Sequence, residues 1–225
     1  MQRRRQSGFT LVEIAIVLVI IGLLLGGILK GQEMITQARI KNIINDLNGI
    51  TAAYASYQDR YRAIPGDDQG ALARWSLPAA SATPSTPGNG VVDDKYNAAS
   101  ATPEPESRLF WWHLRQAGFI PGATAVASEA ARQPTNAVGG MVGVQTAGAT
   151  APALPTMGLS GLVVCTANIP DKIANAVDTQ IDDQNPGTGT LRAIATTNPN
   201  QDTTATPATA YQETGSLQYL LCKGV

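Results

Sequence analysis

Three sets of side chains in this chain could do chemistry. Cys165 and Cys222 are its only cysteines, and an even pair in an exported domain points to a disulfide, with two buried free thiols as the alternative. Glu13 is a lone carboxylate placed directly before Ile14–Leu29, a run without one charged or polar side chain. It fits two roles: with Thr10 it completes the Thr-x-x-Glu pattern that caps a helix start, or it is a charge held for a purpose in an apolar setting. Asp178, Asp182 and Asp183 form an acidic group in which the first two share a helix face and repel each other unless a cation intervenes. Asp67, Asp68, Asp93 and Asp94 form another, beside the turn pairs Pro65-Gly66 and Asn89-Gly90. Oxygen-rich groups of this kind suit calcium. The simpler reading makes them turn and helix-end acceptors near Lys172 or Arg192, and no other cofactor is indicated.

Catalysis finds no support in the residue pattern. There is no G-x-S-x-G, no phosphate-binding glycine loop and no zinc-binding histidine pair, and His113 is the only histidine. The chain is expected not to be an enzyme. Without residues 1–8 it would hold 13 basic and 17 acidic residues, a net charge near −4, so the basic footprint of a nucleic-acid binder is absent. Trp75, Trp111 and Trp112 could form a binding surface, but aromatic residues beside leucines belong more readily to a core.

The elements that must position these residues begin with one helix. From Phe9 to Leu29 the chain is long enough to cross a bilayer, which takes about 20 apolar residues. Arg3, Arg4 and Arg5 stand just before it and mark the cytoplasmic side, so the amino terminus is expected inside and the bulk of the chain outside. No small-residue secretory cleavage site closes the apolar run. Instead Ile40, Ile43, Ile44, Leu47, Ile50, Tyr54, Tyr57 and Tyr61 continue at helical spacing, and the first proline is Pro65. Residues 9–61 are read as one helix of roughly 80 Å at 1.5 Å per residue, apolar all round in its first half and amphipathic in its second. Gly22, Gly26 and Gly27 weaken its middle, each by about 1 kcal/mol relative to alanine; close packing between membrane helices and local unwinding are both open.

Residues 62–225 are read as one globular domain. Ala-, Ser-, Thr-, Pro- and Gly-rich stretches at 78–105, 121–157 and 195–210 predict long loops. Between them, Ser107–Gly118 reads as a helix capped by Ser107, and Pro170–Asp183 as another. Met141–Val144, Leu159–Cys165, Leu191–Ala195 and Leu217–Cys222 read as strands. The expected fold class is α+β: a long amino-terminal helix on a small antiparallel sheet with long loops.

The segment Arg3-Arg4-Arg5-Gln6-Ser7-Gly8-Phe9-Thr10-Leu11-Val12-Glu13 and the apolar run behind it resemble the signal of type IV prepilins and type II secretion pseudopilins. The likeness is strong over residues 1–60 and reaches the rest in outline. It implies a leader of residues 1–8, cleavage after Gly8 by a prepilin peptidase, and methylation of the new amino terminus at Phe9. It implies that Glu13 faces the charged amino terminus of a neighbouring subunit in a filament core, and that helix unwinding near the glycines accompanies assembly. Many members carry a proline where this chain has Lys30, which shifts any unwound segment. The partners implied are other pilin subunits and an inner-membrane assembly platform; the location implied is the bacterial inner membrane and then a pilus or pseudopilus. A Cys165–Cys222 bridge would resemble the disulfide-bounded region of many pilins, which pseudopilin heads more often lack, and the Asp178 group differs from the calcium loop of major pseudopilins. The implied function is a structural filament subunit. The alternatives are a secretion pseudopilin and a membrane-anchored, adhesin-like binding protein, which would need neither cleavage at Gly8 nor the charge at Glu13.

Overall fold

The structure, a computed structural model, describes residues 10–148, 157–198, 202–203 and 206–225. Helix α1 runs Leu11–Tyr61 without interruption. The chain divides into two compact units, Met1–Ala38 and Arg39–Val225, so the boundary falls inside α1 rather than at its end.

In the first unit, the side chains from Leu11 to Ile35 have no protein cover. Leu11 is 86 % exposed and Leu23 73 %. This segment is long and apolar enough to cross a membrane.

The second unit builds a core on the rest of α1. Ile40, Ile43, Leu47, Ile50, Ala53 and Tyr57 are buried, steps of three and four that keep one face inward. Then follow α2 (Gly70–Trp75), α3 (Ala79–Ala82), α4 (Glu106–Gln116) and α5 (Ala127–Ala130), strands β1 (Val142–Ala147) and β2 (Gly161–Pro170), α6 (Asp171–Ile181), and strands β3 (Leu191–Thr196) and β4 (Gln218–Gly224). The strands form an antiparallel sheet in the order β1-β2-β4-β3. Alternation splits its side chains between two faces. Val142, Val144, Leu162, Val164, Leu191, Ala193, Tyr219 and Leu221 join α1, α4 and α6 in the main core. Val163, Cys165, Ala167, Ile194, Leu220 and Cys222 share the other cluster with Tyr96 and Met157.

Both outer strands are covered by chain segments. Thr146 N–H of β1 donates to Val92 O at 3.0 Å and Val142 N–H to Pro134 O at 2.9 Å. On β3, Ala193 N–H donates to Pro186 O, and Ala193 O accepts from Ala208 N–H, both at 2.9 Å. Gly143 permits the first arrangement: a Cβ there would stand 2.1 Å from Tyr96 O.

The α+β architecture agrees with the sequence reading. Helix α4 differs in its start: it begins at Glu106 after Pro105, and Ser107 is not its cap but donates to Lys95 O at 2.8 Å. Prolines before a helix suit this position because their missing N–H needs no partner. Strand β2 runs past Cys165 to Pro170 through a register shift between Thr166 and Ile169, where Asn168 takes a left-handed conformation with φ of 60°. The stretches read as loops contain α3, α5 and β1; residues 149–156 of the second stretch lie outside the described residues.

Candidate functional site

The sequence places its functional residues at four separate locations. Gly8 and Phe9 lie outside the described residues. Glu13, in the first turn of α1, forms a reciprocal cap with Thr10. Its Oε2 accepts from Thr10 N–H at 2.8 Å and from Thr10 Oγ1 at 2.8 Å, while Glu13 N–H donates to Thr10 Oγ1 at 3.3 Å. A carboxylate there also meets the positive end of the helix dipole. Both side-chain bonds fall on Oε2, so the cap leaves Oε1 open to a second charge. The capping and the assembly readings of Glu13 are therefore chemically compatible. Past the apolar run, Lys30 and Glu33 form an exposed ion pair at 2.7 Å. The helix continues through Gly22, Gly26 and Gly27, whose faces meet nothing within 4 Å.

Cys165 and Cys222 are bonded to each other. They sit directly opposite in the β2–β4 ladder, on the sheet face away from α1, and both are fully buried with Tyr96 and Met157. The bridge joins neighbouring strands and also closes a span of 57 residues that contains α6 and β3.

The Asp178, Asp182 and Asp183 carboxylates lie within 4.8 Å of one another. Each already accepts hydrogen bonds. Asp178 takes the Tyr211 hydroxyl at 2.7 Å and Gln184 N–H at 3.2 Å; Asp182 takes Leu191 N–H at 2.7 Å; Asp183 takes Asn185 N–H at 2.9 Å and the Thr188 hydroxyl. Burial raises the Asp178 pKa, and the two other acids add to it against the opposing Tyr211 and Gln184 bonds. The acidic group around Asp67 folds a different loop: Asp67 accepts from Gly90 N–H at 2.8 Å and also from Gly88 N–H, while Glu106 accepts from Asp93 N–H at 2.9 Å and Thr86 N–H at 2.9 Å.

Sequence reasoning left His113 alone, and the structure gives it company. Its ring is fully buried, stacked on Tyr57 with centroids 6.3 Å apart. Nδ1 accepts from Gly66 N–H at 2.9 Å, so the proton of the neutral ring resides on Nε2. Burial drives its pKa from 6.5 to about 4, with Asp68 opposing and Arg74 assisting. Asp68 takes the Tyr57 hydroxyl and Arg74 Nη1, both at 2.7 Å. Burial would raise the Asp68 pKa, but Arg74 and Tyr57 together lower it. The group ties the end of α1 to α2 and α4. The only sequence signal was a histidine amid apolar residues of a helix. Trp111 and Trp112 are 1 % and 0 % exposed and belong to the core; Trp75 is half-buried.

Comparison with known proteins agrees with the amino-terminal geometry. The family described as the prokaryotic N-terminal methylation motif matches residues 3–29. Over 86 residues the chain is 38 % identical to the type II secretion system core protein G of Pseudomonas aeruginosa, a match covering 37 % of this chain and 60 % of that protein. No solved structure matches the chain. The aligned stretch is longer than the motif, so the likeness does not rest on the apolar run alone. The chain thus carries the prokaryotic N-terminal methylation motif and is similar to a type II secretion core protein, of whose length it spans about 60 %.

Proposed function

We propose that this protein is a structural filament subunit, cleaved after Gly8, methylated at Phe9, held in the bacterial inner membrane by the first half of α1 and then assembled through that segment. The observation that carries this is the matched methylation motif at residues 3–29 joined to a helical stretch with no protein cover. An apolar surface so exposed needs lipid before assembly and other subunits after it. The partners are a prepilin peptidase, further pilin-like subunits and an assembly platform, and the role is structural rather than catalytic. Intact mass and amino-terminal analysis of membrane-derived protein test it. A mature chain starting at methylated Phe9 is expected, and an intact Met1 terminus beside an active prepilin peptidase would refute it.

The likeness to a type II secretion core protein favours a second reading, a secretion pseudopilus, while the buried disulfide favours a pilus. Sheared surface filaments containing the wild-type chain would decide for the pilus. Loss of protein secretion on deletion, with no surface filaments, would decide for the pseudopilus. We propose no cofactor: the carboxylates of Asp178, Asp182 and Asp183 serve as acceptors that fold their turn. The thermal midpoint is expected to be the same in calcium and in chelator. A rise with calcium that chelator reverses and that Asp182→Asn abolishes would assign the ion to these acids.

A further inference from the structure

The two loops that flank β3 enclose a cavity of about 300 Å³, near the lower end for ligand sites. Gln184 and Asn185 line it from one loop, Thr209 and Tyr211 from the other, and Asn175 of α6 joins them. Gln184, Asn185 and Thr209 are exposed, so their polar groups are within reach of a ligand. Both loops are fastened to one strand residue: Ala193 N–H donates to Pro186 O, and Ala193 O accepts from Ala208 N–H, both at 2.9 Å. The buried Asp178 ties the walls together, because its Oδ1 takes Gln184 N–H at 3.2 Å and its Oδ2 takes the Tyr211 hydroxyl at 2.7 Å. The cavity is therefore held open by the fold itself. Gln184 has a left-handed φ of 63°, which glycine adopts more readily. Glycine would serve the turn alone; glutamine adds an amide to the cavity.

A primary amide offers two donors and an acceptor oxygen, and a hydroxyl both donates and accepts. Gln184 Nε2 donates to Asn175 Oδ1 at 3.3 Å, and Asn175 Nδ2 donates to Glu213 Oε1 at 2.6 Å, so the amides are oriented before any ligand arrives. Among the described residues, Gln184 Oε1, Asn185 Nδ2 and the Thr209 hydroxyl have no partner. They supply an acceptor, a donor and a group that is both. A ring carrying several hydroxyls matches that set. Charge narrows the class further. Asp182 and Asp183 follow α6, Glu213 holds Asn175, and the nearby Arg192 donates to Met157 O, so an anionic ligand would be repelled.

We propose that this cavity binds one neutral pyranose ring, with its hydroxyls on the Gln184 and Asn185 amides and the Thr209 hydroxyl, and its C–H groups against Tyr211. A glycan chain and a free sugar both carry that chemistry. The site lies in the second unit and needs no filament, so it stands or falls apart from the function proposed above.

The test uses the full chain in lipid nanodiscs and saturation-transfer NMR. The probes are methyl β-D-glucopyranoside, methyl β-D-galactopyranoside and methyl α-D-mannopyranoside. At least one should give a saturable signal, and its uronate, the same ring with a carboxylate at C6, should bind at least about fivefold more weakly. Gln184→Gly suits the left-handed backbone, so the urea midpoint should hold while sugar binding weakens about fivefold. Thr209→Val provides a second variant: it removes an exposed hydroxyl and should weaken binding to a similar degree. Tighter binding of a disaccharide of the same sugar than of its methyl glycoside would identify a glycan chain as the source, and the reverse order a free sugar. Absence of a saturable signal from all three glycosides, equal response to sugar and uronate, or full response in both variants would each overturn the proposal. So would saturable binding of N-acetylglycylglycinamide without binding of any glycoside, which would make the cavity a peptide site.

Discussion

At the scale of single residues, the cap that Glu13 forms can be separated from the assembly role proposed for its charge. Its bonds to Thr10 cap the helix through one oxygen, and the glutamine variant separates capping from charge. Glutamine at this position preserves a capping box but cannot neutralise an ammonium group. Glu13→Gln is expected to reach normal membrane levels and to enter filaments about tenfold less or worse, since losing even ~1.4 kcal/mol at a docking step has that effect. Glu13→Ala should add the loss of a cap, about 1 kcal/mol. Wild-type incorporation of Glu13→Gln in sheared filament fractions would leave the residue as a cap alone. His113 makes the second prediction at this scale. Its folded pKa of about 4 lies below the ordinary 6.5, so the unfolded chain binds the proton more readily. The stability held by the neutral ring is complete above pH 6.5 and is lost as pH falls toward 4, by up to ~3 kcal/mol. Urea midpoints should fall between pH 6.5 and 5, a window in which this sole histidine is the side chain that ordinarily titrates. His113→Gln should flatten that slope while lowering stability at pH 7.

At the scale of elements, spacing made the large pieces legible and left the small ones hidden. The buried steps of α1 were readable because Ile40, Ile43, Leu47 and Ile50 repeat at helical intervals. The strands were readable as short β-branched runs bounded by turn residues. Helices α2, α3 and α5 were not, because four to six residues rich in alanine display no period. The end of β2 was hidden because the strand reading stopped at Cys165, whereas the sheet continues through a register shift between Thr166 and Ile169. The His113 group was invisible for another reason: Gly66 and His113 stand 47 residues apart, and only the packing of α4 brings them together. The disulfide, by contrast, followed from parity. Closing 57 residues restricts the unfolded chain by roughly 4 kcal/mol in the chain-entropy account. The double variant Cys165→Ala/Cys222→Ala should therefore unfold at clearly lower urea with its fold kept, since Val163, Leu220 and Ile194 still cover that face. An unchanged midpoint would show that the bridge adds nothing the strand pairing lacks.

At the scale of the whole molecule, the exposed and the buried apolar residues fall on opposite sides of residue 38. The uncovered side chains from Leu11 to Ile35 belong to the first unit; beyond it, the large apolar residues exposed among the described ones are Val126 and Val225. Removing residues 1–38 should therefore give a chain that stays in solution without detergent and elutes as a monomer with intact near-ultraviolet dichroism from Trp111 and Trp112. Precipitation, or loss of that signal, would show that the head depends on its membrane segment for folding.

The covered sheet edges carry a consequence for how such a protein can be stored. A membrane that holds many copies awaiting assembly concentrates their heads in a thin layer, where open strands would template one another into fibrils. Here the ladder positions on β1 that would accept an incoming strand are met by Val92 and Pro134, and those on β3 by Pro186 and Ala208. The heads can crowd without zipping together. For the filament subunit proposed above, growth would then be confined to the helical segment, the part that lipid would shield before assembly, and the timing of polymerisation would pass from the subunit's concentration to the cell.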